Sequence, residues 1–451
     1  MGDFKVIIIG GGLAGSLLAN GLLNNGVNFR LYERDTRDSK REGYQIRLGD
    51  SAIKGFSACL EDEQHRAILR KFGQSSSASS TAPSLFTSQF KKILDLTNLP
   101  TYSKSSAINR EVLRSLLVRP IDAAGHVQYG ANFTYYEVIK EGECERVRAH
   151  FADGSSDDGD ILVGADGSGS KVNENVGLRN IVPLNTHWSF LGKGSLGYHR
   201  LQKLPAQLWK GPIIVFSKGA SLFYAFKVYL PAKQGMDADS ASSLAYDESE
   251  ASFYWGLNIP RASVTKYENY SEIEDRRQFC LDYIKDWAPE FHTMLSTGSE
   301  DVDSPEVYVA PLRASKKPSN TWRREIQQNQ PGNQEKGHPR VWLLGDAIHA
   351  MQPNRGMGGN QAMHDCAEIL PHLLELNNIA KSGKLPSTQQ VESACTSYEQ
   401  GMIERAFAWV KKSGGHSVLT INLDGILGHV VWLLGKILVP LVSLMYKVLG
   451  N

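Results

Sequence analysis

Short apolar runs recur along the chain, and each is followed by a glycine-rich or acidic turn. They occupy residues 5–9, 27–32, 161–163 and 341–344. Valine, isoleucine and leucine dominate all of them except 27–32, where Asn28 and Arg30 interrupt the apolar residues. Uninterrupted runs of this kind are typical of strands buried on both faces of a parallel sheet. A helical pattern from Ser16 to Asn25, stopped by Gly26, separates the first two runs. The pattern therefore predicts an α/β fold that opens with a strand–helix–strand unit.

The middle of the chain has a different pattern. Residues 221–226 and 252–257 are rich in aromatic residues and predict strands of an inserted mixed or antiparallel sheet. We therefore expect a discontinuous α/β domain over residues 1–180 and 301–420, with a sheet domain over residues 181–300. Polar stretches at residues 74–84, 236–250 and 313–340 predict surface loops.

An apolar tail follows at residues 421–451. Residues 426–446 are mostly apolar, and as a helix they are long enough to cross a bilayer. Lys436 near the centre and Pro440 count against a spanning helix. Two alternatives stay open for this segment: membrane association, either spanning or in the interface, and packing on the protein's own surface.

Composition excludes several classes of protein. The chain has 49 basic and 48 acidic residues, so its net charge provides no attraction to nucleic acid. Its five cysteines are never spaced as CxxC, which indicates reduced thiols in an intracellular protein without a metal site. An apolar strand begins as early as Phe4, which leaves no room for a signal peptide, so we do not expect secretion.

The first turn carries the sequence Gly10-Gly11-Gly12-Leu13-Ala14-Gly15, which satisfies GxGxxG directly after a strand. Gly10 is expected to form the tight turn, Gly12 to let the backbone approach a pyrophosphate, and Gly15 to let the helix pack closely on the strand. The N–H groups at the start of the helix then face the phosphates. This context predicts a dinucleotide site.

Glu33 ends the second strand, where a carboxylate can accept hydrogen bonds from both hydroxyls of an adenosine ribose. A carboxylate there repels a 2′-phosphate, so the tightly bound nucleotide is expected to be FAD or NAD. Two later motifs favour FAD. The third and fourth runs end in Asp166 and in Gly345-Asp346, and the glycine-rich segment 356–359 then opens a helix. Its N–H groups can stabilise the negative charge of a reduced flavin.

With these motifs, the chain resembles the FAD-dependent aromatic hydroxylases, the flavoprotein monooxygenases related to para-hydroxybenzoate hydroxylase, and especially their fungal secondary-metabolism members. The motifs and the resemblance together imply the following FAD contacts: Gly10, Gly12, Leu13, Ala14, Gly15, Glu33, Arg34, Gly43, Arg47, Arg110, Asp166, Gly345, Asp346, Gly356, Met357, Gly358 and Gly359. The family's usual arginine seven residues after the Asp-Gly aspartate is Asn173 here, which leaves the docking of the nicotinamide nucleotide undefined.

The resemblance implies an activity in which NADPH or NADH reduces FAD transiently and O2 supplies the oxygen for a small hydrophobic substrate. Such a reaction, hydroxylation or epoxidation, needs no catalytic triad from the protein. A flavin-dependent reductase on the same fold and a non-enzymatic nucleotide-binding protein are the alternatives. Tyr224 and Trp255 are candidate substrate contacts, whereas His349 is expected to be structural.

Overall fold

The structure is a computed structural model. It describes residues 4–39, 45–73, 83–95, 106–141, 144–195, 204–205, 208, 212–227, 252–297, 307–418 and 420–449. The strands are β1 Lys5–Ile9, β2 Asn28–Glu33, β3 Gln45–Leu48, β4 Ser84–Phe86, β5 Lys92–Asp95, β6 Ser106–Asn109, β7 Val127–Tyr129, β8 Phe133–Glu141, β9 Cys144–Phe151, β10 Ser156–Gly159, β11 Ile161–Gly164, β12 Ile181–Pro183, β13 His187–Ser195, β14 Ile213–Ser217, β15 Ala220–Lys227, β16 Ser252–Pro260, β17 Tyr308–Ala310, β18 Arg313–Ser315 and β19 Val341–Leu343.

Helices cover most of the remaining described chain. They are α1 Leu13–Asn24, α2 Asp50–Cys59, α3 Asp62–Gly73, α4 Arg110–Ala123, α5 Lys171–Val176, α6 Arg276–Tyr283, α7 Pro289–Ser296, α8 Trp322–Asn329, α9 Asp346–His349, α10 Gly358–Lys381, α11 Thr388–Lys412 and α12 Ile426–Leu449.

A five-stranded parallel sheet in the order β19-β11-β1-β2-β7 forms the first layer. Its central strand is buried along both faces, since Val6, Ile7 and Ile8 have no exposed surface. Helices α1, α2 and α10 pack together beside it, and α11 packs on α10. The prediction of a parallel α/β domain that opens with a strand–helix–strand unit is confirmed.

A seven-stranded mixed sheet forms the second module, in the order β17-β13-β16-β15-β14-β4-β5. Its pairs are antiparallel except for β14 with β4, which run parallel. Three of its strands, β4, β5 and β17, lie outside residues 181–300, the range predicted for the sheet domain. A parallel neighbour of β14 has to come from a distant part of the chain, here residues 84–86.

One predicted loop contains buried structure. Within residues 313–340, strand β18 pairs with β12, and α8 places Trp322 and Arg323 in the interior. Arg323 donates to both carboxylate oxygens of Glu399 on α11, at 2.7 and 3.1 Å. The surface-loop prediction is wrong for this part, because a buried ion pair makes a polar sequence compatible with the interior.

The apolar tail forms helix α12, whose beginning is bonded to the seven-stranded sheet. The Leu423 N–H donates to the Phe216 carbonyl at 2.9 Å, and the Asp424 carboxylate accepts from the Ser88 N–H at 2.7 Å and the Ser217 hydroxyl at 2.6 Å. Within the residues that the structure describes, no helix has both the length and the hydropathy needed to cross a bilayer. The spanning alternative for residues 426–446 is therefore not supported.

Candidate functional site

The carboxyl ends of β1, β2, β11 and β19 meet at one edge of the parallel sheet. The motifs identified in the sequence lie at these ends. The glycine turn follows β1, Glu33 is the last residue of β2, Asp166 follows β11, and Gly345-Asp346 follows β19. Hydrogen bonds hold the segments side by side, since the Gly10 N–H donates to Tyr32 O at 2.8 Å and the Ala165 N–H donates to Ile9 O at 2.8 Å. This edge is where open α/β sheets bind ligands.

The glycine turn has the geometry that its sequence predicts. Gly10 has a φ of +110°, and a Cβ there would lie 2.4 Å from the Ala165 carbonyl oxygen. A Cβ at Gly15 would lie 2.1 Å from the Gly10 carbonyl oxygen. At Gly12, by contrast, a Cβ would have no neighbouring atom within 4 Å. The turn therefore packs against the protein at Gly10 and Gly15 but leaves space beside Gly12, where α1 begins without a capping side chain.

Glu33 lies against this turn and is only 5% exposed. Its carboxylate accepts from the Gly11 N–H at 3.1 Å and from the Asp35 N–H at 3.0 Å. Arg114 of α4 lies 3.5 Å from the same carboxylate and donates to the Gly11 carbonyl at 2.9 Å. Arg34 lies apart from this group, since its side chain is largely exposed and pairs with Asp35.

Arg114 is a site residue that the sequence analysis missed. It follows Arg110 by four residues, so both side chains lie on one face of α4. The Asn109 side chain caps this helix by accepting from the Glu111 and Val112 N–H groups, which fixes where the helix begins. The four-residue spacing of the two arginines predicts that they share a helix face. The sequence did not show that this face lies beside the glycine turn, which the structure does.

Asp346 begins the short helix α9, directly after Gly345, whose φ is +63°. Asp346 is exposed to solvent, yet the desolvation caused by the surrounding protein atoms raises the pKa of its carboxyl group. The positive charges of His349 and Arg110 act in the opposite direction on that pKa. Asp346 and Arg110 are thus brought together, although Asp346 follows β19 and Arg110 begins α4, more than 200 residues earlier in the chain.

Helix α10 begins beside Asp346. A Cβ at Gly358 would lie 3.7 Å from Asp346 Oδ1, and no side chain caps the first turn of the helix. Asn360 ties this end to β3, because it donates to the Arg47 carbonyl at 2.8 Å and accepts from the Gly49 N–H at 2.8 Å. The N–H groups after Gly356 and Met357 therefore face the same cleft as Asp346.

Two predicted contacts need separate treatment. The Asp166 carboxylate accepts from the Ser170 hydroxyl at 2.5 Å and from the Lys171 and Val172 N–H groups at 2.8 and 3.3 Å. The Asp166 carboxylate therefore caps helix α5 and connects the end of β11 to the start of that helix. Gly43 lies outside the described residues.

The two candidate substrate contacts face away from this cleft. Tyr224 and Trp255 have no exposed surface and belong to the apolar core between the seven-stranded sheet and helices α6 and α7. Burial in this core does not support the prediction that they contact substrate, and alternate residues of the same strands face the opposite side of the sheet. Phe223 and Tyr254 lie on the other face of the sheet, and strand β15, which carries Phe223, contacts β3.

The donors at this edge suit a flavin dinucleotide. An uncapped helix start and open space beside Gly12 fit a pyrophosphate, and the carboxylate of Glu33 adjoins that position. A second uncapped helix start at Gly358, beside the Asp346 carboxylate, fits a polar chain and a ring that becomes negatively charged when reduced.

A family model described as "FAD binding domain" matches residues 3–192 and 309–395, more than half of the chain. The chain belongs to this FAD-binding family. The prediction of FAD as the bound cofactor is therefore confirmed at the level of the family, and the two matched segments flank the seven-stranded sheet's central strands. The contacts of individual residues with FAD stay predictions.

Several curated relatives are similar to the chain over most of its length. The chain is 24% identical over 425 residues to the FAD-dependent monooxygenase thnD of Trichoderma harzianum, covering 90% of this chain and 91% of that protein. It is 23% identical over 449 residues to the dual O-methyltransferase/FAD-dependent monooxygenase elcB of Phaeosphaeria nodorum, covering 90% of this chain and 45% of that protein. The chain thus spans about half the length of several curated relatives that it matches.

The fold also matches solved structures. Klebsiella pneumoniae HpxO, complexed with FAD and uric acid, superposes with a TM-score of 0.64 at 17% identity, covering 98% of this chain and 96% of that one. An FAD-containing monooxygenase from Photorhabdus luminescens superposes with a TM-score of 0.65 at 24% identity, covering 92% and 98%. These similarities support the fold.

Proposed function

We propose that this protein is an FAD-dependent, NAD(P)H-driven monooxygenase that hydroxylates or epoxidises a small hydrophobic molecule in secondary metabolism. The observation that carries the proposal is the meeting of two elements at one cleft. The start of α10, with Asp346 beside it, lies next to β3, and strand β15 of the seven-stranded sheet also contacts β3. A cofactor held at the first element thus faces a second surface that can hold a substrate.

The reaction balances as substrate RH, O2, NAD(P)H and a proton giving ROH, water and NAD(P)⁺. Bound FAD supplies the redox chemistry. The chain supplies orientation through Asp346 and Glu33, positive potential through the N–H groups at the start of α10, and a surface that excludes water. Names of relatives support both outcomes, since the family members include a fungal FAD-dependent monooxygenase and a zeaxanthin epoxidase from Nicotiana plumbaginifolia.

The substrate surface we propose is the sheet face opposite the apolar core. Leu191, Lys193, Phe223 and Tyr254 lie on it, and each is partly exposed. The rings of Phe223 and Tyr254 are 6.0 Å apart between centroids, and Lys193 lies 5.3 Å from the Tyr308 ring centroid. Aromatic rings with one nearby cation suit a hydrophobic substrate that carries a polar or acidic substituent.

A labelled-oxygen assay tests the proposal. The purified holoenzyme is given NADH or NADPH, isotopically labelled O2 and a panel of phenols and alkenes. We expect at least one panel member to gain a single labelled oxygen atom while one NAD(P)H is oxidised. Phe223→Ala should raise KM for that compound several-fold and leave FAD content unchanged, because the side chain lies on the substrate face. Trp255→Phe, a change on the opposite face, is the matched control and should leave KM unchanged.

Three results contradict the proposal in different ways. A product reduced at a double bond, with no labelled oxygen, supports the reductase alternative. Oxidation of NAD(P)H that no panel member accelerates, and that yields only hydrogen peroxide, argues against every substrate class in the panel. A protein that binds FAD but never oxidises NAD(P)H supports the non-enzymatic alternative.

We also propose that the protein acts inside the cell at a membrane surface, with α12 lying in the lipid interface. Within residues 426–442, nine large apolar side chains are 41–84% exposed: Ile426, Leu427, Val430, Trp432, Leu433, Leu434, Ile437, Leu438 and Leu441. No acidic residue occurs after Asp424, whereas Lys436 and Lys447 are basic. An apolar, weakly cationic helix of this kind suits anionic lipid rather than water. Gly435 packs on Leu94 of β5, so the helix lies at the edge of the substrate sheet.

Vesicle sedimentation tests this membrane proposal. The full chain should co-sediment with vesicles of phosphatidylcholine and phosphatidylserine. The double variant Leu433→Asp/Ile437→Asp should bind at least about tenfold less, because it is energetically unfavourable to place charged side chains at the acyl boundary. Tyr135→Asp is the control, since Tyr135 is 49% exposed on a different part of the surface. Equal sedimentation of the double variant, or self-association that the double variant abolishes without any vesicle binding, contradicts a lipid partner.

A further inference from the structure

A buried polar network adjoins the turn that carries Asp346. Asp365 of α10 and His349 of α9 have no exposed surface. The Asp365 Oδ2 atom accepts from the Gly345 N–H at 2.8 Å and from His349 Nε2 at 2.6 Å. Its Oδ1 atom accepts from Arg405 Nη2 of α11 at 2.6 Å. One carboxylate thus joins three elements of the FAD-binding domain.

The network is extended on the side of Arg405. Its guanidinium also donates to both carboxylate oxygens of Glu368, at 2.9 and 2.7 Å, and to the Gln361 side-chain oxygen at 2.6 Å. Burial alone raises the pKa of Asp365, but His349 and Arg405 offset this effect, and the net shift of that pKa is downward. Asp365 is therefore ionised, and its negative charge is fully paired, as a buried carboxylate requires.

The His349 ring takes a defined orientation in this network. Burial lowers its pKa, but the adjacent Asp365 carboxylate more than offsets that effect, so the pKa is raised. Its Nδ1 atom is buried and has no hydrogen-bond partner among the described residues. Because the ionised Asp365 carboxylate can only accept, the Nε2 atom carries a hydrogen and donates it to Asp365.

The contacts of Asp365 hold both ends of helix α9. The Gly345 N–H precedes the helix, and His349 is its last residue, so one carboxylate is bonded on either side of Asp346. Asn173 and Asn180 donate to the Ala347 and Ile348 carbonyls at 2.8 and 2.9 Å, which braces the same helix from α5 and the segment after it. Because α9 contains a single turn, these bonds determine where the Asp346 carboxylate points.

We propose that Asp365 is a positioning residue for FAD: it fixes both ends of α9 and thereby directs the Asp346 carboxylate towards the cofactor. Asp365 has no accessible surface, so it acts through Gly345, Asp346 and His349 without touching FAD. The inference rests on FAD binding at Asp346, not on oxygen transfer. It therefore stands or falls separately from the proposed monooxygenase activity.

Asp365→Asn is the direct test, read as the dissociation constant of FAD for the apoprotein, by quenching of flavin fluorescence. Asparagine keeps the shape of the side chain but removes the charge that pairs with His349 and Arg405. We expect FAD affinity to fall about tenfold or more at temperatures well below the melting transition. His349→Gln keeps a donor towards Asp365 without a charge, and it should weaken FAD binding less than Asp365→Asn.

Glu399→Gln provides the matched control. Glu399 lies on α11 and, like Asp365, is a buried carboxylate paired with an arginine, in this case Arg323. It also accepts from the Trp322 indole N–H at 3.1 Å. It has no bond to α9 in the described structure. Glu399→Gln should lower the melting temperature as Asp365→Asn does, yet leave FAD affinity within about twofold. An equal loss of affinity in the two variants overturns the proposal, because it shows a general effect of stability.

A double-mutant cycle with Asp346→Ala decides how Asp365 acts. If Asp365 acts through Asp346, adding Asp365→Asn to Asp346→Ala should reduce FAD affinity by much less than it does in the wild-type background. Fully additive losses overturn the proposed route. If Asp365→Asn does not fold, Arg405→Lys replaces it in the same cycle, because lysine keeps the charge but cannot bond Asp365, Glu368 and Gln361 together. An unchanged FAD affinity in Arg405→Lys then counts against the network.

Discussion

Replacing Asp346 by alanine is expected to raise the dissociation constant of FAD by about one to two orders of magnitude, as estimated for a charge-assisted hydrogen bond in a water-poor site. Asp346 lies at the end of a buried parallel strand with its carboxylate open to the cleft. Arg110 and His349 keep positive charge near it. The measurement is titration of the apoprotein with FAD, followed by quenching of flavin fluorescence.

The stability of the apoprotein separates this role from a structural one. The surrounding protein raises the pKa of Asp346, so its ionised form costs free energy in the folded state. This cost develops as the pH rises from the ordinary aspartate pKa to the raised one, and it is constant above that range. Asp346→Ala should therefore not lower the melting temperature of the apoprotein at neutral pH. Asp346→Asn, which keeps an acceptor of the same shape, should lose less FAD affinity. A stable Asp346→Ala protein with wild-type FAD affinity contradicts the assignment.

A methyl group added at Gly12 is expected to abolish most FAD binding without disturbing the fold. Gly12 has a φ of −75°, which any residue adopts, and a Cβ there meets no protein atom within 4 Å. The methyl group instead occupies space that a pyrophosphate needs at the start of α1. Gly12→Ala should keep the melting temperature of the apoprotein within about 2 °C of the wild type and weaken FAD binding about a hundredfold.

Gly10→Ala is the contrasting variant. Its Cβ would lie 2.4 Å from the Ala165 carbonyl oxygen, and the residue would have to keep a φ of +110°. Strain and overlap together should cost about 3 kcal/mol or more of folding free energy, measured by denaturant titration of the apoprotein. If Gly12→Ala destabilised the apoprotein as much as Gly10→Ala, the space beside Gly12 would not be a ligand site.

Patterns that depend on neighbours in sequence predicted the parallel sheet well. The run from Lys5 to Ile9, the glycines after it and the position of Glu33 all lie within one strand–helix–strand unit, whose geometry is nearly fixed by local rules. The acidic turns after β11 and β19 could be assigned to the same edge because parallel strands present their carboxyl ends together. The prediction of the fold class required only these local signals.

The seven-stranded sheet shows why the substrate side was predicted less well. Both faces of β15 and β16 carry aromatic residues, so the alternation that distinguishes a core face from an open face is absent from their sequences. Tyr224 and Trp255 face helices α6 and α7, which come later in the chain, at residues 276–296. Only the packing of those helices determines which face is covered.

The arginines show a second reason why site residues could not be predicted from the sequence alone. Arg114 gains its role from the glycine turn, and Arg323 is buried because Glu399 pairs with it from a helix 76 residues away. Asp166 was correctly located at the edge of the sheet, but its carboxylate caps α5. The sequence alone does not show whether a charged side chain contacts a ligand, forms a buried ion pair or caps a helix, because this depends on which group the fold places next to it.

The strand order of the parallel sheet has a consequence for protein synthesis. β1 and β2 are made first, but the edge strand β19 and the Asp346 turn follow only after residue 340, when the seven-stranded sheet has already emerged. A nascent chain that lacks them exposes the edge of β11 and cannot form the complete nucleotide site. If Asp346 contacts FAD as proposed, the complete site can bind FAD only after residues 341–346 have been made.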